Sequence, residues 1–119
     1  MRSTTRRLFL SLLPLLASTA LADDLADARA VIKTQLEQLK AGDVEGLRAG
    51  FTDRQKGKID AALVKKAQAQ VASSTVDELV ARVEPTSDGG LTLKLANGRS
   101  LTTLLKVRGA WKADTLWFK

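Results

Sequence analysis

From Asp24 to Ala41 the apolar residues Leu25, Ala28, Ile32, Leu36 and Leu39 recur at three- and four-residue intervals. That spacing lays one apolar stripe along an amphipathic helix. Gly42 predicts a left-handed stop, and Asp43 an N-cap for a short second helix in which Leu47 and Phe51 share a face. Thr52-Asp53-Arg54-Gln55 fits a capping box, Gly57 predicts a break, and Asp60 predicts the cap of a helix carrying Leu63, Ala67 and Val71.

After Ser73-Ser74 the period changes from helical to alternating, with β-branched residues and leucine rising from Thr75 to Glu84. Pro85 to Gly90 reads as a loop, Asn97-Gly98 as a hairpin turn and Gly109-Ala110 as a second tight turn. The pattern predicts four consecutive antiparallel strands centred near Val80, Leu93, Thr103 and Thr115. Two-residue turns would set Leu93 opposite Thr102 and Leu105 opposite Asp114. One face then collects Leu91, Leu93, Leu95, Leu104, Trp111, Ala113 and Trp117. The other collects Leu101, Leu105, Val107, Leu116 and Phe118, with Thr103, Lys112 and Asp114 among them. Two apolar faces call for two covers: the helices on one side, and a ligand or a second copy of the chain on the other. A bulge that shifts the register is the alternative.

Ahead of the helical pattern stands a segment of another kind. Arg2, Arg6 and Arg7, with no acid, precede the apolar run Leu8 to Leu16 and the small-residue end Ala20-Leu21-Ala22. This is the layout of an export signal cleaved after Ala22. The stretch is shorter than the about 20 apolar residues of a membrane span and is interrupted by Ser11, Pro14, Ser18 and Thr19. Thr5-Arg6-Arg7-Leu8-Phe9-Leu10 also resembles a twin-arginine motif. The expected product is one periplasmic or secreted domain, residues 23–119, with no membrane anchor.

Removing the leader changes the electrostatics. The full chain carries 19 basic and 13 acidic residues, a net charge of +6. Three of the arginines belong to the leader, leaving 16 against 13, or +3. The remaining cations are scattered, with only Lys65-Lys66 adjacent, so a nucleic-acid partner is not expected. Histidine, cysteine and tyrosine are absent. That removes the commonest general base, the thiol nucleophile, the phenolic acid and the usual transition-metal ligands. No cofactor and no metal are expected, and Asp23, Asp24 and Asp27 read as acids favouring a helix start. Asp77 and Glu78, adjacent on a strand, would point to opposite faces, and Trp111 and Trp117 read as core before ligand-stacking groups.

Helices first, a Gly-Asp break before Leu47 and Phe51, then a meander closing on Gly109-Ala110-Trp111 and Asp114-Thr115-Leu116-Trp117-Phe118: in this order of elements the chain resembles the cystatin-like α+β fold. More narrowly it resembles small exported members of the nuclear transport factor 2-like superfamily, which includes SnoaL-like and ketosteroid-isomerase-like proteins. The resemblance implies N-terminal helices packed on a curved four-stranded antiparallel sheet, a conical cavity between them and dimerisation through the sheet. Enzymes of the superfamily use an Asp or His base with a Tyr, Asp or His partner; here only Asp114 is a candidate base. In an apolar cavity its pKa would be raised, whereas pairing with Lys112 or exposure to solvent would leave it a surface acid.

The expected function is therefore non-catalytic binding of a small apolar ligand or a protein partner by a homodimer. The pocket candidates are Leu101, Leu105, Asp114, Leu116 and Phe118. A lyase or isomerase using Asp114, and an interaction domain with no pocket, are the alternatives.

Overall fold

The computed structural model describes residues 3–118, with side chains from residue 22 onward. Helix α1 (Ser3–Ala41) contains the expected amphipathic segment as its C-terminal part. Its described buried face is Ala28, Ile32, Gln35, Leu36 and Leu39, with Leu25 partly buried. The side chains of Arg6, Arg7 and Ala20, on which the export reading rests, lie outside the described residues. Ala22, the last residue before the expected cleavage point, is exposed.

Gly42 takes φ +75° and so ends α1 in the left-handed conformation that glycine adopts without cost. The Asp43 carboxylate then accepts from the Gly46 N–H at 3.0 Å and opens α2 (Val44–Ala49). Asp60 does the same for α4 (Ala61–Val71), accepting from the Leu63 N–H at 2.8 Å. Between them lies one turn, α3 (Asp53–Lys56), preceded by Thr52. The expected capping box at Thr52 is not formed, because the Thr52 hydroxyl is turned away to Asp114.

A capping box stands instead at Thr75, where the sequence pattern predicted the start of a strand. Thr75 and Glu78 each satisfy the other's backbone N–H and open α5 (Val76–Leu79). The first strand consequently begins later than expected, as β1 (Arg82–Pro85), followed by β2 (Leu91–Lys94), β3 (Ser100–Val107) and β4 (Ala110–Ala113). The strands form an antiparallel sheet in the order β1-β2-β3-β4.

Leu93 does face Thr102, through two departures that cancel. The Asn97-Gly98 turn is one residue longer than a two-residue hairpin, closing between Leu95 and Arg99. A bulge at Leu101 then takes up the extra residue, since Lys94 faces Ser100 while Leu93 faces Thr102. The last turn sits one residue earlier than expected, at Arg108-Gly109, with φ +53° and +83°. Two successive positive φ values make the mirror-image turn that suits strand twist. Leu105 therefore faces Lys112, not Asp114.

The inner face holds Leu91, Leu93, Leu104 and Ala113, all buried against the helices along with Leu47, Phe51, Val64, Ala67, Leu79 and Val80. Each large side chain removed from water in this way contributes about 2 kcal/mol. The expectation of a second apolar face is corrected. The outer surface of β1 and β2 is polar, and Glu84 pairs with Arg82 at 3.5 Å and Lys94 at 3.8 Å. Only Leu105, half-buried, and Val107, 39% exposed, interrupt it on β3. Leu116 and Phe118 do not lie on a strand, because β4 ends at Ala113.

Candidate ligand-binding groove

Strand β4 ends at Ala113, which is also paired on its open edge. Its N–H donates to the Gly50 carbonyl and its carbonyl accepts from the Thr52 N–H, both at 2.9 Å. This short parallel bridge carries the end of α2 to the edge of β4. The next residue, Asp114, turns inward, where its carboxylate accepts from the Thr52 hydroxyl at 2.8 Å and from Arg54 Nε at 2.9 Å. A second Arg54 nitrogen bonds the other carboxylate oxygen, completing a two-pronged grip. The Asp114 side chain is only 12% exposed.

These donors set the electrostatics of Asp114. The Arg54 bonds, aided by the Thr52 hydroxyl, hold its pKa below the ordinary aspartate value, outweighing the opposing effect of burial. The alternative in which an apolar cavity raises the pKa of Asp114 therefore does not hold. The expected partner is corrected as well: Lys112 sends its Nζ to the Ala49 carbonyl at 2.5 Å. A carboxylate kept ionised with both oxygens engaged is a weak proton acceptor. Its evident service is to tie the C-terminal tail to α3.

Further along, Thr102 Oγ1 on β3 donates to the Thr115 carbonyl at 3.0 Å. Trp117 Nε1 donates to Gln35 Oε1 at 2.8 Å, while Gln35 Nε2 donates to the Gly50 carbonyl at 3.0 Å. Gln35 is 2% exposed, so this one amide bridges α1, the end of α2 and the tail inside the core. Phe118 packs edge-to-face on both Phe51 and Trp117, with centroids at 5.8 and 5.2 Å. Gln35, Thr52 and Arg54 were not among the sequence candidates. A buried polar residue inside the apolar stripe of α1 was the available signal for Gln35; Thr52 and Arg54 lie in a capping-box pattern, which marks a helix start and not a contact with Asp114.

With the tail pinned this way, a groove opens between α4, α5, the β2–β3 hairpin and the tail itself. Its volume is about 420 Å³ and its apolar walls are Val71, Leu79, Leu95, Leu101, Leu116 and Phe118. Trp117 joins the lining, and Gln70, Ser74, Asn97, Arg99 and Ser100 make the polar part. The structure therefore brings three of the five pocket candidates, Leu101, Leu116 and Phe118, to one place. The bulge puts Leu101 there by breaking the alternation of β3. Leu105 stays on the outer face of the sheet, and Asp114 sits with Arg54 outside the groove.

The remaining acids are dispersed. Glu78 caps α5, and Asp77, on a helix and not on a strand, lies 3.9 Å from Arg29. Helix α1 runs through Asp23, Asp24 and Asp27, which would become a helix start only after cleavage at Ala22. Among the described residues, no group of three His, Cys, Asp or Glu side chains is placed to hold a metal ion, and no helix is long and apolar enough to cross a membrane. Comparisons with known protein families, with curated proteins and with solved structures returned no match.

Proposed function

We propose that residues 23–119 form an exported, non-catalytic binding domain of the nuclear transport factor 2-like type, which holds a small apolar ligand in the groove beneath the β2–β3 hairpin. The observation that carries this reading is the convergence of Leu101 on β3 with Leu116 and Phe118 on the tail in one open groove of about 420 Å³ with apolar and polar walls. Ligand pockets commonly span about 300 to 1,000 Å³ and are mostly apolar with a few polar groups at one side. Helices followed by a four-stranded meander support the family assignment. Export is supported by the leader pattern of the sequence. The full engagement of Asp114 favours binding over catalysis. A homodimer through the sheet would rest on Leu105 and Val107 and would have to cover the charges of Arg82, Glu84 and Lys94, so the groove is the better-supported site.

The test is a titration of residues 23–119 with N-phenyl-1-naphthylamine, a neutral apolar fluorophore, read by dye emission and by Trp117 quenching. We expect one saturable site, weakened about tenfold or more in Leu101→Glu, which places a charge in the apolar wall. Absence of saturable binding, or equal binding by Leu101→Glu, would remove the groove from consideration.

A further inference from the structure

A second cavity, of about 380 Å³, lies on the other side of the core between α1, α2 and β4. Its walls are built from residues the first groove does not use: Val31, Thr34 and Gln38 on α1, Gly46 and Gly50 at the two ends of α2, and Trp111 on β4. Two features set it apart. No charged side chain lines it. Two of its lining residues, Gln38 and Trp111, also carry a polar atom shielded from solvent with no hydrogen-bond partner: the Gln38 side-chain oxygen and the Trp111 indole nitrogen. Buried polar groups are almost always paired, and an unpaired one carries a free-energy penalty that a matching ligand group removes.

The two atoms are complementary in kind. Gln38 Oε1 can only accept and Trp111 Nε1 can only donate. The contrast with the other tryptophan is direct, since the Trp117 indole N–H is satisfied by Gln35. Lys106 Nζ lies 4.9 Å above the Trp111 ring and engages its face, leaving the N–H edge unpaired. The small residues keep the cavity open: a Cβ at Gly46 would come within 2.8 Å of Gln38 Nε2, and one at Gly50 within 2.7 Å of Gln35 Nε2.

We propose that this cavity is a second binding site, for a neutral small molecule that presents one hydrogen-bond acceptor and one donor on an apolar frame, the combination an amide or lactam supplies. The ligand carbonyl accepts from Trp111 Nε1–H, its N–H donates to Gln38 Oε1, and its frame packs on Val31. Neither atom is held by a hydrogen bond, and binding requires both side chains to rotate so that these shielded atoms face the cavity. The uncharged lining selects against ionic ligands, which would lose hydration without gaining a counter-charge. No residue lines both sites, but Gln35 lines this cavity and accepts from Trp117, which lines the hairpin groove.

The two indole N–H groups make a built-in comparison for ¹H–¹⁵N correlation spectra of residues 23–119. The probe is 2-piperidone, and the control is cyclohexanone, which keeps the ring and the carbonyl but replaces the N–H by CH₂. We expect 2-piperidone to move the Trp111 indole cross-peak saturably and by clearly more than the Trp117 cross-peak, whose N–H is already held by Gln35. Cyclohexanone should bind about tenfold more weakly, reflecting the donor it lacks. Gln38→Met, with its melting temperature checked against wild type, should bring 2-piperidone down to the affinity of cyclohexanone. A Trp111 indole peak that never shifts saturably, as expected of a cavity holding water alone, overturns the proposal. Equal binding of the two probes to the wild-type protein, or equal shifts of both indole peaks, overturns it too.

Discussion

Arg54 grips the carboxylate of Asp114 with two nitrogens across a separation of 60 positions, and the Thr52 hydroxyl adds a third donor to the same group. The guanidinium is largely exposed while the carboxylate is 12% exposed, so it is the acid that depends on the pair. Asp114→Asn should lower stability at neutral pH by about 2 kcal/mol, a charge-assisted set of bonds being exchanged for weaker neutral ones. The pH dependence has a definite sign. A carboxylate whose folded-state pKa lies below the ordinary 3.8 stabilises the fold above that value, and the contribution fades as pH falls through the lower folded-state pKa. Urea midpoints of wild type and Asp114→Asn should therefore differ at pH 7 and converge below about pH 4. Asp88, whose pKa the Thr86 hydroxyl also lowers, titrates in the same window, and its effect cancels in the comparison.

Gln35 holds the tail from inside the core. Gln35→Leu keeps the volume but leaves the Trp117 indole N–H without its partner and takes one of two donors from the Gly50 carbonyl, which keeps the Ala113 N–H, a loss of about 1 to 3 kcal/mol. Trp117 fluorescence should shift to longer wavelength as the tail loosens. Gly50→Ala should give the same spectral signature, because the new Cβ would displace the Gln35 amide, 2.7 Å away.

The turn between β3 and β4 carries strain that can be relieved. Arg108 takes φ +53°, a left-handed conformation that costs an L-residue about 1 to 2 kcal/mol and that asparagine tolerates better. Arg108→Asn should raise stability by about 0.5 to 1 kcal/mol, seen as a higher melting temperature. Gly109→Ala, at φ +83°, should lower it.

Two threonines with similar sequence surroundings do different work. Thr75→Ala removes half of the capping box that opens α5 and should cost about 1 kcal/mol, with no pH dependence above pH 5. Thr52→Ala should lose its effect in acid, in parallel with Asp114→Asn, because the Thr52 hydroxyl serves the Asp114 carboxylate and not a helix end. Chemical denaturation at pH 7 and pH 3 separates the two.

These two threonines also show where sequence reading reaches and where it stops. Asp43, Asp60 and Gly42 were legible because a cap or a left-handed stop is decided within four residues. Thr52 and Thr75 present the same local spacing, and tertiary structure chose between them: Asp114 claimed the Thr52 hydroxyl. The strand expected from Thr75 failed because Val76, Leu79 and Val80 are spaced i, i+3, i+4, as a single helical turn requires, and Glu78 closes the box. The pairing of Leu93 with Thr102 survived a longer turn only because the Leu101 bulge absorbed the extra residue. The last register slipped because an arginine occupies a left-handed position, where propensity favours the glycine and alanine that follow. The groove was partly visible as apolar residues on the final strands. Its true position depended on β4 ending at Ala113, a residue that the Gly50 and Thr52 bonds also hold.

The most direct test of the account is native mass spectrometry of residues 23–119 purified from cells that express the full chain, comparing wild type with Leu101→Glu. The account predicts a retained small apolar molecule on the wild-type protein that is lost from the variant. A wild-type protein that carries no small molecule and takes up none of the apolar fluorophore would contradict it.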